Sequence, residues 1–247
     1  MKLKEFFEKY PRVALGFSGG VDSAYLLYAG RKYGADIRPY FIKTAFQPEF
    51  ELRDAIRLTE ELGIELTVVE YDILAETRVI QNPSDRCYYC KSALFRTLRR
   101  QALKDGYEIL LDGTNASDEA SDRPGMKAVR ELKVLSPLRD CGLTKNEIRK
   151  LSREAGLFTW EKPSYACLAT RIPTGVPING TLLTRIERGE EALAALGFSD
   201  FRIRLFHDAA KLQIPKKQFE MLFQKRKEVQ KALEPYFDVL LLDLEER

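Results

Sequence analysis

The chain contains 247 residues, 45% of them hydrophobic and 31% charged, and it carries a formal net charge of +3 at pH 7. It is long enough for one large globular domain or two modest ones, and its charge is too small to indicate a nucleic-acid partner. The single histidine, His207, argues against histidine pairs, catalytic triads and histidine-rich metal sites. No apolar stretch approaches the roughly 20 residues that span a bilayer, so we expect a cytoplasmic protein without a membrane partner.

The first half of the chain alternates short apolar runs with helical periods. This pattern predicts an α/β fold, a parallel sheet with crossover helices on both faces. The first helix carries Lys and Glu around an apolar stripe, which indicates an amphipathic helix rather than a signal peptide. Thr144 and Glu147 form a capping box for a helix near 144–155, which Gly156 ends. The other helices are predicted at 2–9, 22–33, 49–62 and 91–104, and the strands near 12–17, 37–43, 65–71 and 108–112.

The second half begins with a segment rich in proline and glycine, residues 161–180, which is typical of a linker or long loop. Beyond it we predict a helix near 181–196, a strand at 201–206, a return strand to 214, a helix near 216–233 and a strand near 236–243. The predicted domains are therefore 1–160, the linker 161–180 that carries Cys167, and a small C-terminal α+β domain at 181–247.

The segment from Ser18 to Ser23 reads Ser-Gly-Gly-Val-Asp-Ser and lies between a predicted buried strand and a predicted helix. Glycines let the backbone approach an anion, the two serines add hydroxyl donors, and the helix start directs N–H groups at the same point. No Lys-Ser/Thr pair closes the loop, so it is not the P-loop that holds a γ-phosphate. The pattern instead resembles the PP-loop of ATP pyrophosphatases, which hold the β- and γ-phosphates as leaving pyrophosphate. An ordinary glycine-rich turn is the alternative.

We expect this loop to bind ATP, since ligands of open parallel sheets lie at the carboxyl ends of the strands. Its carboxylate, Asp22, is the expected Mg²⁺ ligand. Asp112, Asn115 and Asp118 follow another apolar strand and should border the same site, although Asn and Asp also make turns. The predicted ATP and pyrophosphate ligands are Ser18, Gly19, Gly20, Val21, Asp22, Ser23, Thr44, Gly113 and Thr114.

Four cysteines are present: Cys87 and Cys90 in a Cys-x-x-Cys pair, then Cys141 and Cys167. Such a pair fits a redox couple, half of a zinc site, or two ligands of an iron–sulfur cluster. A Cys₄ zinc site would need the other two cysteines without the second close pair that zinc ribbons show. Four unrelated buried thiols are the remaining possibility, because free cysteine is commonly buried.

Several motifs together resemble the LarE family, ATP-dependent sulfur transferases that mature the nickel-pincer nucleotide of lactate racemase. The resemblance covers residues 10 to about 215 and is specific in combination. The motifs are the PP-loop, Asn-Pro-Ser-Asp-Arg-Cys-Tyr-Tyr-Cys-Lys at 82–91, Leu-Asp-Gly-Thr-Asn-Ala-Ser-Asp at 111–118, Arg-Pro-Gly-Met-Lys-Ala at 123–128, Leu-Ser-Pro-Leu at 135–138, and Lys-Pro-Ser-Tyr-Ala-Cys-Leu-Ala-Thr-Arg at 162–171.

The resemblance implies a reaction in two stages. A carboxylate of pyridinium-3,5-biscarboxylic acid mononucleotide attacks the α-phosphate of ATP, and sulfur then displaces AMP. Cys167 is implied to be the sulfur-handling cysteine. Family members with that cysteine alone resemble sacrificial donors, whereas Cys87 and Cys90 place this chain with a three-cysteine subgroup that binds a [4Fe-4S] cluster through Cys87, Cys90 and Cys167. Cys141 is then a structural bystander, and a homo-oligomer is expected.

Charged residues near these motifs are candidate ligands of the substrate. Lys91 and Arg171 follow Cys90 and Cys167 closely and should lie near the sulfur centre, where they are expected to act in catalysis. Alternation along 201–205 puts Arg202 and Arg204 on one face, either solvated or, as the resemblance implies, binding substrate phosphate. Glu190 is a further candidate for metal or substrate, against the alternative of a surface glutamate.

Two other classes of function remain open on sequence alone. A tRNA-thiolating enzyme shares PP-loop chemistry, but it needs a basic, aromatic RNA-binding surface that the near-neutral composition does not indicate. A non-catalytic nucleotide-binding module with structural cysteines is the second alternative, and substrate-dependent release of pyrophosphate would exclude it.

Overall fold

The computed structural model describes residues 1–118 and 124–245. The chain divides into two compact units, Met1–Ile73 with Asp85–Lys162, and Leu74–Ser84 with Pro163–Arg247. The domain boundaries expected from the sequence stay a prediction. Among the described residues, no helix is both long enough and apolar enough to cross a bilayer.

The helices and strands are numbered in chain order. The helices are α1 Leu3–Lys9, α2 Val21–Lys32, α3 Glu49–Leu62, α4 Thr77–Ile80, α5 Arg86–Lys104, α6 Pro124–Glu131, α7 Pro137–Asp140, α8 Lys145–Glu154, α9 Gly180–Ala195, α10 Phe219–Gln224 and α11 Arg226–Leu233. The strands are β1 Arg12–Gly16, β2 Asp36–Lys43, β3 Thr67–Glu70, β4 Leu110–Leu111, β5 Arg202–Phe206, β6 Ala209–Gln213 and β7 Leu240–Leu242.

The first unit is built on a parallel sheet with the strand order β3-β2-β1-β4, which confirms the predicted α/β fold. β1 is one of the two interior strands, and its side chains alternate between the two faces of the sheet. Val13 and Leu15 pack with residues of α2, α3 and α8, whereas Ala14 packs with Leu98 of α5 and Met126 of α6. Because both faces of β1 are covered, its sequence reads as a continuous apolar run.

The second unit contains a smaller sheet with the order β5-β6-β7, antiparallel between β5 and β6 and parallel between β6 and β7. Ile203 and Leu205 are buried, while Arg202 and Arg204 lie half-buried on the opposite face. The predicted helix near 216–233 is instead two helices, α10 and α11. The break falls at Lys225, whose ammonium donates to the carbonyl oxygen of Leu196 at 2.8 Å.

Candidate functional site

The loop Ser18–Ser23 lies at the carboxyl end of β1, and α2 begins at Val21. β1 pairs with β2 on one side and β4 on the other, so the order of the strands reverses beside this loop. Such a reversal leaves a crevice at the carboxyl edge of the sheet, where open α/β sheets bind ligands. The fold therefore places the predicted phosphate loop where a nucleotide site is expected.

Glycine is required inside the loop. Gly19 has φ +68°, and a Cβ there would lie 3.2 Å from the carbonyl oxygen of Glu51 and 3.3 Å from Cα of Ala55. The hydroxyls of Ser18 and Ser23 lie 3.2 Å apart, and the Ser23 hydroxyl donates to the Gly20 carbonyl. The first N–H groups of an α-helix generally lack intrahelical acceptors, so the start of α2 suits an anion.

Asp22 is the acidic residue in the first turn of α2. Its Oδ2 pairs with Nζ of Lys145 at 2.6 Å, whereas its Oδ1 is buried and has no hydrogen-bond partner within residues 1–118 and 124–245. Burial raises the pKa of this carboxyl, the bond from Lys145 opposes that rise, and the charge of Asp118 adds to it. A buried carboxylate oxygen without a donor suits a hard cation such as Mg²⁺.

The loop after β4 contacts the start of α2. A Cβ on Gly113 would lie 3.1 Å from the backbone nitrogen of Ser23, a contact tighter than ordinary van der Waals distance, so a larger residue would have to push the start of α2 aside. The Thr114 hydroxyl donates to Asp112 Oδ2 at 2.6 Å, and the Ser136 hydroxyl donates to Asp112 Oδ1 at 2.7 Å. Asp112 therefore shapes this loop from within, and it brings Gly113 and Thr114 to the PP-loop side of the sheet.

Thr44 directly follows β2 and lies at the same edge of the sheet. Its hydroxyl donates to Gln47 Oε1 at 2.7 Å and accepts the N–H of Phe46 at 3.0 Å. The side chain is buried and closes a local turn. Its assignment as an ATP ligand stays a prediction.

Two lysines near the loop escaped sequence reasoning. Lys145 opens α8 and pairs with Asp22, and Lys162 contacts Asp54 at 2.6 Å and the carbonyl oxygen of Gly19 at 3.4 Å. Lys162 belongs to the motif 162–171, which was a usable signal. Lys145 has no such signal in the sequence beyond its place after the Thr144 cap, because its partner is 123 residues away.

The Cys-x-x-Cys pair lies in the first turns of α5, where a spacing of three places Cys87 and Cys90 on one side of the helix. Cys87 is exposed and Cys90 is half-buried, while Cys167 precedes the short 3₁₀ turn Leu168–Arg171 in the second unit. Cys141 packs against the core of the first unit. Within the part of the chain that the structure describes, no three His, Cys, Asp or Glu side chains form a ready metal site.

Lys91 lies on α5 directly after Cys90. A Cβ on Gly125 of α6 would lie 2.8 Å from Cδ of Lys91, so the glycine makes room for the lysine stem. Its catalytic role near the sulfur centre stays a prediction. Arg123, at the start of the motif 123–128, lies outside the described residues.

Arg171 and Glu190 meet inside the second unit. Nε and Nη2 of Arg171 donate to Glu190 at 2.7 and 3.2 Å, and Nη1 donates to the Ala166 carbonyl at 2.9 Å. Glu190 also accepts the Tyr165 hydroxyl at 2.6 Å and the Ile203 N–H at 3.0 Å. Glu190 is buried, so the alternative of a surface glutamate is wrong. The pair fixes the segment that carries Cys167 onto α9 and β5.

Arg204 of β5 contacts the same segment. Its Nη1 donates to the Thr170 carbonyl at 3.1 Å and its Nε donates to Gln213 at 3.1 Å. Arg202 lies two residues earlier on the same face of the strand. The structure thus gathers Arg171, Glu190 and Arg204 in the second unit, and it gathers the PP-loop, Asp22 and Gly113 in the first.

Comparison with known proteins identifies relatives over most of the chain. An uncharacterised protein of Synechocystis is 35% identical over 225 residues, which is 90% of this chain and 83% of the relative. A pyridinium-3,5-bisthiocarboxylic acid mononucleotide synthase of Lactiplantibacillus plantarum is 31% identical over 206 residues, 83% of this chain and 75% of that protein. A tRNA-specific 2-thiouridylase of Thermotoga maritima is 27% identical over 197 residues, 61% of this chain and 54% of that protein.

No protein-family model matches the chain. The match to the mononucleotide synthase nevertheless spans both units of the structure, because it covers most of this chain and most of the relative. The thiouridylase match adds a second, more distant enzyme that handles sulfur. The chain therefore belongs to the LarE family, and it is an ATP-dependent sulfurtransferase of the PP-loop superfamily.

Proposed function

We propose that this protein inserts sulfur into pyridinium-3,5-biscarboxylic acid mononucleotide during the synthesis of the nickel-pincer nucleotide. The observation that carries the proposal is the 31% identity to a pyridinium-3,5-bisthiocarboxylic acid mononucleotide synthase across 83% of the chain. The PP-loop at the switch point of the sheet supports the use of ATP in that reaction.

In the first stage, a carboxylate oxygen of the substrate attacks the α-phosphorus of ATP, and the bond to the β-phosphate oxygen breaks to release pyrophosphate. A carboxylate is a poor electrophile because oxide is a poor leaving group, whereas AMP leaves readily. We assign the stabilisation of the departing pyrophosphate to the hydroxyls of Ser18 and Ser23, which lie 3.2 Å apart, and to the first N–H groups of α2. Asp22 would hold Mg²⁺, which offsets charge on the phosphates.

In the second stage, a sulfur nucleophile attacks the acyl carbon of the adenylate, and AMP leaves with the electron pair of the broken C–O bond. We assign the handling of this sulfur to Cys167, with Cys87 and Cys90 as partners in holding a [4Fe-4S] cluster. When bound, such a cluster would supply an iron to which an extra sulfide can attach. Two thiols on one side of α5, one of them exposed, suit adjacent cluster ligands.

We assign substrate contacts to the cationic face of β5 and to Lys91. Arg202 and Arg204 are proposed to bind the substrate phosphate, because Arg recognises phosphate through several donors at once. Arg171 has three of its nitrogens engaged with Glu190 and Ala166. We therefore propose that Arg171 and Glu190 mainly position the Cys167 segment.

The proposal is tested with anaerobically purified protein supplied with ATP, Mg²⁺, inorganic sulfide and the biscarboxylate nucleotide. We expect release of pyrophosphate that depends on the substrate, together with a product whose mass shows oxygen replaced by sulfur. The double variant Cys87→Ala/Cys90→Ala should lose iron and turn over at most once, whereas Cys141→Ala should keep its iron.

Measuring the mass of the protein after turnover separates the two routes of sulfur supply. Unchanged mass with more than one product per chain supports the cluster route, whereas loss of one sulfur from Cys167 supports a sacrificial cysteine. Pyrophosphate release without dependence on the biscarboxylate, accompanied by a salt-dependent shift of tRNA, would overturn the proposal in favour of tRNA thiolation.

A further inference from the structure

The ion pair between Lys145 and Asp22 joins the first residue of α8 to the first turn of α2. Nζ of Lys145 lies 2.6 Å from Oδ2 of Asp22. The two side chains are 27% and 22% exposed, so ligands in the crevice can reach both groups. The pair brings a mobile cation to the helix start at which the PP-loop is expected to bind phosphate.

The backbone around Lys145 is held firmly. Its N–H donates to the Ser117 hydroxyl at 3.0 Å, and the preceding residue, Thr144, forms a capping box with Glu147. The position of Cα is therefore fixed, while the four-carbon stem leaves the ammonium free to move between nearby acceptors. An ammonium with three donors suits a phosphate that shifts position during a reaction.

Asp22 has a second acceptor that Lys145 leaves unused. Its Oδ1 is buried and has no hydrogen-bond partner among the described residues, and Asp118 contributes a second negative charge nearby. A divalent cation on Asp22 would repel an ammonium held on the same carboxylate. Bound phosphate offers that ammonium a new acceptor in the same crevice.

We propose that Lys145 is a phosphate ligand of the bound nucleotide. Its ammonium pairs with Asp22 when no nucleotide is bound, and it moves to the β- and γ-phosphates when a divalent cation binds Asp22. This inference rests on the proposed use of ATP and extends it to a residue outside the PP-loop. Lys145 and the cation then compete for Asp22 without nucleotide and cooperate when nucleotide is bound.

This exchange makes two affinities move in opposite directions when Lys145 is removed. Nucleotide loses a cationic ligand and binds more weakly, whereas a divalent cation alone loses its competitor and binds more tightly. A lysine that merely stabilises the fold would weaken both affinities together, or neither. Because Lys145 is assigned to the departing phosphates, inorganic pyrophosphate should lose affinity and AMP should not.

The test compares Lys145→Met, which keeps the apolar stem, with Lys150→Met, an exposed lysine on the same helix. Calorimetry measures the affinities for ATP with Mg²⁺, for pyrophosphate with Mg²⁺ and for AMP, and electron paramagnetic resonance measures Mn²⁺ binding without nucleotide. For Lys145→Met we expect about tenfold or greater loss for ATP and pyrophosphate, unchanged AMP affinity and several-fold tighter Mn²⁺ binding. Lys145→Arg should restore part of the ATP affinity, and Lys150→Met should behave as the wild type.

Wild-type ATP affinity in Lys145→Met, or parallel loss of ATP, AMP and Mn²⁺ binding, would overturn the inference. A circular-dichroism melt identifies a variant that has failed to fold, and Lys145→Gln then replaces it in the same titrations. If the wild-type protein itself binds neither ATP nor pyrophosphate, the proposed function fails, which is distinct from failure at Lys145 alone.

Discussion

Arg171 and Glu190 form a two-point ion pair in the interior of the second unit, with Nε to Oε1 at 2.7 Å and Nη2 to Oε2 at 3.2 Å. The Arg171 side chain is 0% exposed and that of Glu190 is 8% exposed. The arginine lies four residues after Cys167, and the glutamate lies on α9. The pair thus fixes the geometry of the segment that carries Cys167.

Replacing Glu190 with alanine should strongly destabilise the second unit. The substitution leaves the Arg171 guanidinium buried without its counter-charge, which typically costs about 3–5 kcal/mol. Urea unfolding followed by fluorescence measures the loss. Glu191→Ala is the matched control, because its ion pair with Arg188 is largely exposed and should contribute less than about 1 kcal/mol. Equal losses for the two variants would contradict a structural role for the buried pair.

Gly113→Ala should disturb the nucleotide site with little change elsewhere. Its Cβ would meet the backbone nitrogen of Ser23 at 3.1 Å and Cα of Ser23 at 3.3 Å, and backbone atoms cannot rotate away as a side chain can. Such overpacking typically lowers the free energy of unfolding by about 1–3 kcal/mol. Because the added methyl group should displace the start of α2, ATP binding should weaken about tenfold or more. Calorimetric titration with ATP provides the measurement.

Gly180→Ala is the control for that substitution. Gly180 is the first residue of α9, and a Cβ there makes ordinary contact with Leu74 at 3.4 Å. Alanine should therefore be tolerated, and it reduces the entropy of the unfolded chain. ATP affinity at the wild-type level in Gly113→Ala would show that the loop after β4 does not constrain the nucleotide site.

The capping box of α8 should make stability depend on pH in acid. Glu147 accepts the Thr144 hydroxyl at 2.6 Å and the Thr144 N–H at 2.8 Å, and these bonds hold the pKa of Glu147 below its ordinary value of 4.5. The folded state therefore prefers the ionised form. The resulting stabilisation is present above the unfolded pKa and is lost as the pH falls through the folded pKa.

Glu147→Gln should accordingly flatten the dependence of the urea midpoint on pH below about pH 4.5. The neighbouring substitution Asn146→Ala removes no ionisable group and should leave the slope unchanged. If Glu147→Gln retained the full wild-type slope, the acid sensitivity of this protein would have to come from other carboxyl groups.

The sequence predicted the PP-loop region well because its signals are local. An apolar run, two glycines and a helix start follow one another between 13 and 24. The buried strand β1 accounts for the apolar run, and the left-handed backbone at Gly19 accounts for one of the glycines. The alternation at 202–205 was equally readable, since one face of β5 is buried. Elements shorter than two turns, such as α4 and α7, carried too little periodicity to be predicted.

The parts of the site that escaped prediction depend on contacts between distant segments. Lys145 meets Asp22 across 123 residues, and α8 reaches α2 only through the packing of the first unit. The burial of Glu190 likewise follows from two segments, the one that carries Tyr165 and Arg171 and the strand that carries Ile203, which converge on one carboxylate. Propensity and periodicity describe single elements, so neither could reveal these partners.

The four thiols should differ in reactivity, and the order of their alkylation rates tests which of them are structural. Cys87 is exposed on α5, whereas Cys141 packs against the core of the first unit, where burial raises the pKa of its thiol. Alkylation requires the thiolate, so at pH 8 in metal-free protein Cys141 should react on the order of tenfold or more slowly than Cys87. Iodoacetamide labelling followed by peptide mass spectrometry gives both rates.

Protein unfolded in urea provides the reference, because there all four thiols should react at similar rates. Reaction of Cys141 as fast as Cys87 in the folded protein would mean that its site opens readily, and its assignment as a bystander would lose its physical basis. Slow reaction of Cys141, together with full iron retention in Cys141→Ala, would instead leave Cys87, Cys90 and Cys167 as the thiols available for sulfur chemistry.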